Sequence, residues 1–372
     1  MTRSMRMITF ISVLSLLLGL LASTASPTGA APSPGCGQAV TSDFVLTADL
    51  VDCPTVGLVV GADGVHIDLN GHRITGAAHE PIECFFGGPP PGPCFGIDTD
   101  GHSGLEITNG TITGFANGIA TIGARASQTQ VVGVDLRGNN PNAVLLGSDN
   151  VVARNRVTSP IVVGSRSAVK RNRGSGRGGI FPFDADGVLV EHNAVPTIDA
   201  RFATNTVVSR NQVSGGLIVV ESRSDGSVVT RNVLVGGHIA VIGSAAVRVD
   251  HNMVLRTPYP ISGIRVGFDP VRGSTDDVEV IDNLVVGAAL DGIVTDPGFA
   301  ARTTTIRGNV VVGNGQDGIR NGDVTATIAG NLAVHNAQLG IESVAGAVDG
   351  GGNRAAGNGD PRQCVNVVCR PG

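Results

Sequence analysis

The sequence Val207-Val-Ser-Arg-Asn211 returns as Val228-Val-Thr-Arg-Asn232, and this short unit decides the fold. Each copy is a strand of mostly β-branched residues that ends on an asparagine. The separations between successive asparagines run from 17 to 31 residues, which is typical of stacked coils with loops inserted in some of them. The repeated asparagines are Asn155, Asn172, Asn193, Asn211, Asn232, Asn252, Asn283, Asn309, Asn331 and Asn353.

A second recurring feature lies between the asparagines. It is a Gly-Ile pair that opens a further strand, as at Gly118-Ile119, Gly263-Ile264 and Gly318-Ile319. Each coil then contains about three short strands separated by Gly, Asn or Asp turns. Such strands bury little alone, but stacking the coils at about 4.8 Å places every strand in a parallel sheet. The sequence therefore predicts an all-β, single-stranded parallel β-helix of roughly a dozen three-strand coils, in preference to a propeller or a sandwich.

The asparagine column predicts an internal ladder. We expect the asparagines at one sharp turn, where they tolerate left-handed backbone and hydrogen-bond one another along the stack. Asn70 and Asn109 are predicted as earlier members, with Asp135 between them and Asn155. A repeated ligand site is the alternative, but no single substrate could touch every copy, so the column is interpreted as structural.

The N-terminal residues predict export. Arg3 and Arg6 precede an apolar run of about fourteen residues and then an alanine-rich stretch, a pattern typical of a secretory signal over residues 1–31 with cleavage between 25 and 31. A membrane-spanning helix needs roughly twenty apolar residues, so no stable membrane span is expected after cleavage. The predicted location is secreted, periplasmic or cell-envelope.

The six cysteines agree with an oxidising compartment. Nearest-neighbour pairing predicts disulfides Cys36–Cys53, Cys84–Cys94 and Cys364–Cys369. A metal site would favour tighter cysteine pairs with histidine partners, so no metal is predicted there. The expected domains are a β-helix over 36–359, with 36–57 as its N-terminal cap, and a disulfide-closed tail over 360–372.

The charge of the mature chain argues against nucleic-acid binding. Removal of Arg3 and Arg6 leaves 24 basic residues against 31 acidic ones, a net charge of −7. Nucleic-acid affinity comes mostly from basic contacts to phosphate. No nucleic-acid partner is therefore expected.

The N-terminal block carries a family resemblance. The segment Leu58-Val-Val-Gly-Ala-Asp-Gly-Val-His-Ile-Asp-Leu-Asn-Gly-His-Arg-Ile-Thr-Gly76, whose pattern Leu105–Phe115 repeats, resembles the right-handed parallel β-helix repeat proteins of the pectate-lyase-like superfamily. The resemblance implies a right-handed coil and a groove along one sheet. It implies a carbohydrate-related role but no particular reaction, because the superfamily includes lyases, hydrolases, epimerases and inactive members.

Three chemistries of that superfamily fit the residues unequally. A hydrolase would need clustered aspartates, but Asp276-Asp277 is the only Asp-Asp pair. The segment Gly267-Phe-Asp-Pro-Val-Arg272 is similar to an epimerase motif but lacks the histidine of that motif. A copper-binding role is also disfavoured, because the chain has few of the soft ligands that copper prefers. A β-elimination needs a base and a cation, and the positions after the Gly-Ile pairs supply arginines and acids.

The catalytic candidates are Arg265, Asp269 and Asp296, and the substrate-groove candidates are Asp199, Arg201, Glu221, Arg320 and Asp323. A ladder of surface ion pairs is the alternative interpretation of these residues. Two functions remain open: a protein that binds and cleaves an acidic extracellular polysaccharide by β-elimination, with Ca²⁺ as a cofactor, or a non-catalytic envelope or surface protein that binds glycan.

Overall fold

A computed structural model describes residues 35–77, 94–120, 125–267, 275–296 and 303–371. The predicted signal segment, Cys84 and Asp269 lie outside these ranges. Residues 34–372 form one compact unit. None of the described residues belongs to a helix with the length and apolarity that crossing a bilayer would require.

The described chain is built from 40 short strands. In the first half they are β1 Gln38–Val40, β2 Phe44–Val45, β3 Leu50–Cys53, β4 Val56–Val60, β5 His66–Asp68, β6 Arg73–Gly76, β7 Phe95–Asp98, β8 Glu106–Thr113, β9 Asn117–Ala120, β10 Gln130–Leu136, β11 Asn142–Leu145, β12 Val151–Ala153, β13 Arg156–Val157, β14 Ile161–Val163, β15 Ala168–Lys170, β16 Arg173–Gly174, β17 Ile180–Asp186, β18 Leu189–Glu191, β19 Ala194–Thr204 and β20 Val207–Ser209. In the second half they are β21 Gln212–Glu221, β22 Val228–Thr230, β23 Val233–Val235, β24 His238–Ile242, β25 Arg248–Asp250, β26 Met253–Leu255, β27 Ile264–Gly267, β28 Glu279–Ile281, β29 Leu284–Val286, β30 Ile293–Thr295, β31 Thr305–Arg307, β32 Val310–Val312, β33 Ile319–Asn321, β34 Thr327–Ala329, β35 Leu332–Val334, β36 Ile341–Ser343, β37 Val348–Gly351, β38 Asn353–Ala356, β39 Cys364–Val365 and β40 Cys369–Pro371.

These strands stack into three parallel sheets, because each pairs with its equivalent one coil further on. We call the sheet before each ladder asparagine sheet A (for example β20 on β22), the sheet after it sheet B (β23 on β26), and the sheet of Gly-Ile strands sheet C (β30 on β33). Valine, isoleucine and leucine at alternate positions form one continuous buried column between the sheets. The predicted parallel β-helix is confirmed, with about 13 coils.

The predicted ladder is confirmed from Asn155 to Asn353. Each asparagine donates its backbone N–H and its side-chain Nδ2 to the Oδ1 of the next one, as Asn155 does to Asn172, both at 3.0 Å. Its Nδ2 also donates to a main-chain carbonyl of the preceding coil, for example Asn172 to Val152 at 2.8 Å. The buried amides are therefore satisfied along the whole stack.

Two details of the predicted ladder were wrong. The left-handed residue is the one before each ladder asparagine, such as Arg154 with φ 59°. The Val134 N–H donates to Asn155, so Val134 occupies the ladder position in its coil. Gly110 pairs with Val134 and occupies the ladder position one coil earlier. The exposed Asn109 therefore lies at the left-handed position, one residue before the ladder. Asn70 likewise has φ 48°, and Asp135 is an ion-paired strand residue beside Arg137.

A second, shorter asparagine row lies at the corner between sheets B and C. Asn314 donates to Asn336, and Asn336 to Asn358, through both backbone N–H and Nδ2. Each of these lies five residues after a ladder asparagine. That repeated spacing is the sequence signal that could have predicted the row.

Disulfides close both ends of the described stack. Cys36 is bonded to Cys53 within the first coil, and Cys364 to Cys369 within the tail. The strands of residues 36–57 pair onto the next coil, and those of the tail pair onto β36 and β38. Both segments therefore extend the sheets.

Candidate functional site

The outer face of sheet C, which we call the groove face, aligns several of the predicted residues. Register places Asp199, Val219, Ala240, Arg265, Val294, Arg320 and Glu342 in one column along consecutive coils. Three of these, Asp199, Arg265 and Arg320, were predicted from the sequence. The inward neighbours on the same strands, such as Ile264 and Ile293, are fully buried, so alternation points the polar side chains outward.

Arg265 lies at the middle of this face. Its Nη2 contacts Asp296 Oδ2 at 2.5 Å, and its Nε contacts the same carboxylate at 3.1 and 3.2 Å. Both residues were predicted, and the structure brings them together across adjacent coils. No described residue is hydrogen-bonded to the third guanidinium nitrogen, Nη1.

His238, one coil before Arg265, is a site residue that the sequence analysis missed. Burial lowers the pKa of its imidazole, and the positive charge of Arg265 lowers it further. The ring is therefore neutral at physiological pH, which is the form that can accept a proton. The sequence did contain a signal for it. His238 directly precedes the inward-facing Ile239 of a sheet C strand, so alternation places its side chain on the groove face.

A second cluster surrounds Arg201. Its guanidinium forms ion pairs with Asp199, at 3.2 Å, and with the buried Glu221 on the next coil. Beside it, the rings of Phe183 and Phe202 meet edge to face at 6.0 Å. Both rings are exposed, at 42% and 47%.

Phe202 also has an unusual backbone, with φ 51°. A bulky side chain is rare in this left-handed region because its Cβ crowds the following carbonyl oxygen. Backbone strain of this kind is concentrated at binding and catalytic sites. The exposed aromatic pair is therefore a candidate ligand platform on the groove face.

A carboxyl cluster lies on the last coils. Arg320 Nη2 binds the fully buried Asp291 at 2.8 Å, and Asp317 shares a side-chain hydrogen bond with Glu342. Burial raises the pKa of Asp317 to about 6, and the nearby carboxylates of Asp291 and Glu342 also raise it. A hydrogen bond from the Leu339 N–H lowers this pKa and offsets part of the increase. Glu342 lines two clefts, of about 450 and 170 Å³.

Asp291, Asp317 and Glu342 were not predicted from the sequence. The repeated Asp-Gly-Ile in two successive coils, at Asp291 and Asp317, was a usable signal. The remaining groove candidate, Asp323, is buried in the turn after β33, where its carboxylate accepts hydrogen bonds from the Thr304 and Thr325 N–H groups. It therefore holds this turn and does not line the groove face.

The residues that the structure describes contain no group of three His, Cys, Asp or Glu side chains arranged to hold a metal ion. Asp269 lies outside the described residues, so the ligands that it could add are not part of this finding.

Comparison with known proteins supports the fold. No protein-family model matches the sequence, and no curated protein sequence matches it. Among solved structures, the chain is similar to a double mutant of the periplasmic alginate epimerase AlgG, with 13% identity over 84% of this chain and 77% of that one, and a TM-score of 0.50. Structural similarity at this identity shows a shared right-handed parallel β-helix and no more.

Two further structures show weaker similarity. One is the A-module of the mannuronan C-5 epimerase AlgE4 from Azotobacter vinelandii, with 12% identity, 87% and 89% coverage and a TM-score of 0.35. The other is a variant of the catalytic domain of a GH87 alpha-1,3-glucanase in complex with tetrasaccharides, with 12% identity, 80% and 63% coverage and a TM-score of 0.42. The narrower pectate-lyase-like assignment stays a prediction.

Proposed function

We propose that the protein binds an acidic polysaccharide along the groove face and removes the proton next to a sugar carboxyl group, the first step of β-elimination. The observation that carries this proposal is the placement of the neutral His238 one coil from the Arg265 guanidinium. Proton removal beside a carboxylate needs a base and a cation that offsets the charge developing on the carboxyl group. These two residues supply one of each.

In the proposed reaction, Arg265 Nη1 donates to the substrate carboxylate, and a ring nitrogen of His238 accepts the C5 proton. The electron pair of the C5–H bond forms the C4–C5 double bond, and the C4–O bond to the neighbouring sugar breaks. The leaving oxygen takes up a proton from water, and the His238 imidazolium later returns its proton to solvent, so the products are a new chain end and an unsaturated sugar. Asp296 orients Arg265 by binding its other two nitrogens.

The Phe183–Phe202 pair supports polysaccharide binding on the same face. Phe183 on β17 and Phe202 on β19 lie four and three coils before Arg265, or roughly 14–19 Å along the stack at about 4.8 Å per coil. Aromatic rings provide large, rigid contact area for the apolar faces of sugars. The aromatic pair would hold the polysaccharide while His238 and Arg265 act on one of its sugars.

Export also belongs to this proposal. An extracellular polysaccharide is accessible only outside the cytoplasm, and the predicted signal segment over residues 1–31 would deliver the chain there. The two disulfides of the described residues fit an oxidising compartment.

A non-catalytic glycan-binding protein is the second candidate. It is favoured by the ion pairing of Arg201, Arg265 and Arg320, each of which is already bound by a carboxylate. A face of this kind can bind hydroxyl groups without performing chemistry.

The test uses the purified chain with and without Ca²⁺ on a panel of uronate polysaccharides. We expect ultraviolet absorbance from unsaturated products, lost in His238→Gln and Arg265→Ala and kept in the control Arg248→Ala, which removes an ion-paired arginine of sheet A. Hydrogen exchange from D₂O into the substrate without absorbance would instead indicate epimerisation. Binding without either signal would establish the non-catalytic protein, and no binding to any polymer would contradict both candidates.

A further inference from the structure

The corner between sheets A and B carries a row of basic side chains, which we call the basic ridge: Arg154, Arg171, His192, Arg210 and Arg231, with Arg156 and Arg173 beside them. We propose that the basic ridge binds a linear acidic polysaccharide with its carboxylates spaced along the coils. In the three-sided coil this corner lies opposite the groove face. The proposal is therefore independent of the chemistry proposed there.

Strand register sets the spacing of the ridge. Each of its first five members directly precedes a ladder asparagine, so they occupy the same position in five consecutive coils. Adjacent members are about 4.8 Å apart in this geometry, and all five are exposed. The result is a straight row of cationic or protonatable groups, one for each coil.

Backbone conformation does not explain these residues. All five have φ between 53° and 59°, a region that favours glycine and, less strongly, asparagine. The two following coils have His251 and Asp282 at the same position, and the next two have Gly308 and Gly330. Five successive residues with long or ring side chains at a glycine-preferring site indicate that the side chains themselves are needed.

Five arginines of the ridge lack the carboxylate partners that several arginines elsewhere have. No described residue forms an ion pair with Arg154, Arg171, Arg173, Arg210 or Arg231, whereas Arg137, Arg166, Arg248, Arg265, Arg320 and Arg362 each bind a carboxylate. Two acids lie beside the ridge. Glu191 pairs with Lys170 at 3.1 Å and more distantly with His192 at 3.9 Å, and Asp135 interacts with Arg156 but is bound by Arg137. The local charge is therefore positive on a chain whose net charge is −5.

A cleft of about 320 Å³ runs between the two rows of the ridge, lined by Arg171, Arg173, His192, Arg210 and Gln212 with ladder residues at its base. Its lining offers many hydrogen-bond donors for carboxylates and hydroxyl groups and contains no Phe, Tyr or Trp side chain. Single-stranded nucleic acids depend on aromatic stacking, and a bilayer would contact a broad surface. A polymer with a carboxylate on each sugar fits a narrow donor-lined cleft best.

The test measures binding of polygalacturonate by the full chain at low and physiological salt. Arg154→Asn, Arg171→Asn and Arg210→Asn are combined, because asparagine tolerates the left-handed backbone and removes the charge. The matched control combines Arg137→Gln, Arg166→Asn and Arg362→Gln, which removes three paired arginines and gives the same net charge. We expect binding that weakens with salt, a loss of roughly tenfold or more in the ridge variant, and less than about twofold in the control.

Four results would overturn the proposal: equal binding by both variants, equal binding of fully methyl-esterified polygalacturonate, tighter binding of a single-stranded oligonucleotide, or tighter binding of anionic phospholipid vesicles. The groove-face variant Arg265→Ala should bind polygalacturonate at the ridge as well as the control does. Loss of activity in Arg265→Ala with unchanged polygalacturonate binding would therefore concern the groove face alone. Loss of binding in the ridge variant would concern the ridge alone.

Discussion

Asn193 donates its backbone N–H and its side-chain Nδ2 to a single acceptor, the Oδ1 of Asn211, at 2.9 and 3.0 Å. Asn211 in turn donates to Asn232 and to the carbonyl of Val190. The Asn211 side chain thus accepts from two donors of the preceding coil and donates both to a carbonyl of that coil and to the asparagine of the next one. The ladder is a chain of such shared acceptors, inside a stack that is otherwise apolar.

Replacing a ladder residue should therefore be costly. Asn211→Ala leaves the Asn193 backbone N–H without its acceptor and the Val190 carbonyl without the Asn211 donor. The Asn193 Nδ2 loses one of its hydrogen bonds but keeps those to the Val169 and Glu191 carbonyls. Each buried unsatisfied group costs about 1–3 kcal/mol. We expect the free energy of unfolding in urea to fall by about 3 kcal/mol or more. Gln212→Ala, the exposed neighbour, is the control and should change it by less than about 0.5 kcal/mol; similar values for both variants would contradict the role of the ladder.

Phe202 should behave in the opposite way. Phe202→Asn relieves the left-handed strain, worth about 1–2 kcal/mol, and loses an aromatic contact worth about 0.5–1.5 kcal/mol. We expect unfolding stability within about 1 kcal/mol of the wild type but weaker polysaccharide binding. Unchanged binding, or a stability loss above about 2 kcal/mol, would show that the ring is a packing residue.

Asp317 predicts a pH dependence of stability. Its folded-state pKa of about 6 lies above its ordinary value of 3.8, so the folded state holds this proton more tightly. The contribution of Asp317 to stability should decline as pH rises from about 4 through 6, by an amount on the order of 2 kcal/mol. Asp317→Asn should match the wild type near pH 4 and exceed it above pH 6 in thermal unfolding.

Asp360 is a control for that measurement, because its effect on stability changes with pH in the opposite direction. A hydrogen bond from the Arg362 side chain holds the pKa of its carboxyl at about 2. Its stabilisation is present above pH 3.8 and is lost as pH falls toward 2. Asp360→Asn should therefore lower stability at neutral pH, and the same direction of change in both variants would contradict the assignment for Asp317.

His238 predicts a titration that is visible with or without catalysis. Burial and the charge of Arg265 lower its imidazole pKa, so its NMR titration midpoint should lie below the ordinary 6.5. Arg265→Gln should move the midpoint upward. If the protein is a lyase, kcat/KM should fall on the acid side with the same midpoint, since only the neutral ring accepts a proton. A midpoint at or above 6.5 in the wild type would remove His238 from the proposed mechanism.

The candidate site was only partly predictable. Asp199, Arg265 and Arg320 were found by counting from the Gly-Ile pairs, because alternation along a strand fixes which side chains point outward. Contacts such as Arg320 with Asp291 or Arg265 with Asp296 join residues 29 and 31 positions apart. The lengths of inserted loops decide these pairings, and repeat counting does not reveal them. His238 was missed because its lowered pKa depends on burial and on a neighbour from the next coil.

The sequence by itself determined the coil, the three sheets and the ladder from Asn155 onward, because periodic apolar residues and buried amides have a stable arrangement only when coils stack. It did not separate Asn70 and Asn109 from the ladder, since asparagine suits both the left-handed turn position and the ladder position one residue later. Only strand register distinguished them. The tertiary structure alone showed that the groove-face arginines are ion-paired and that those before the ladder asparagines are not, because ion pairing depends on which side chains adjacent coils bring within reach.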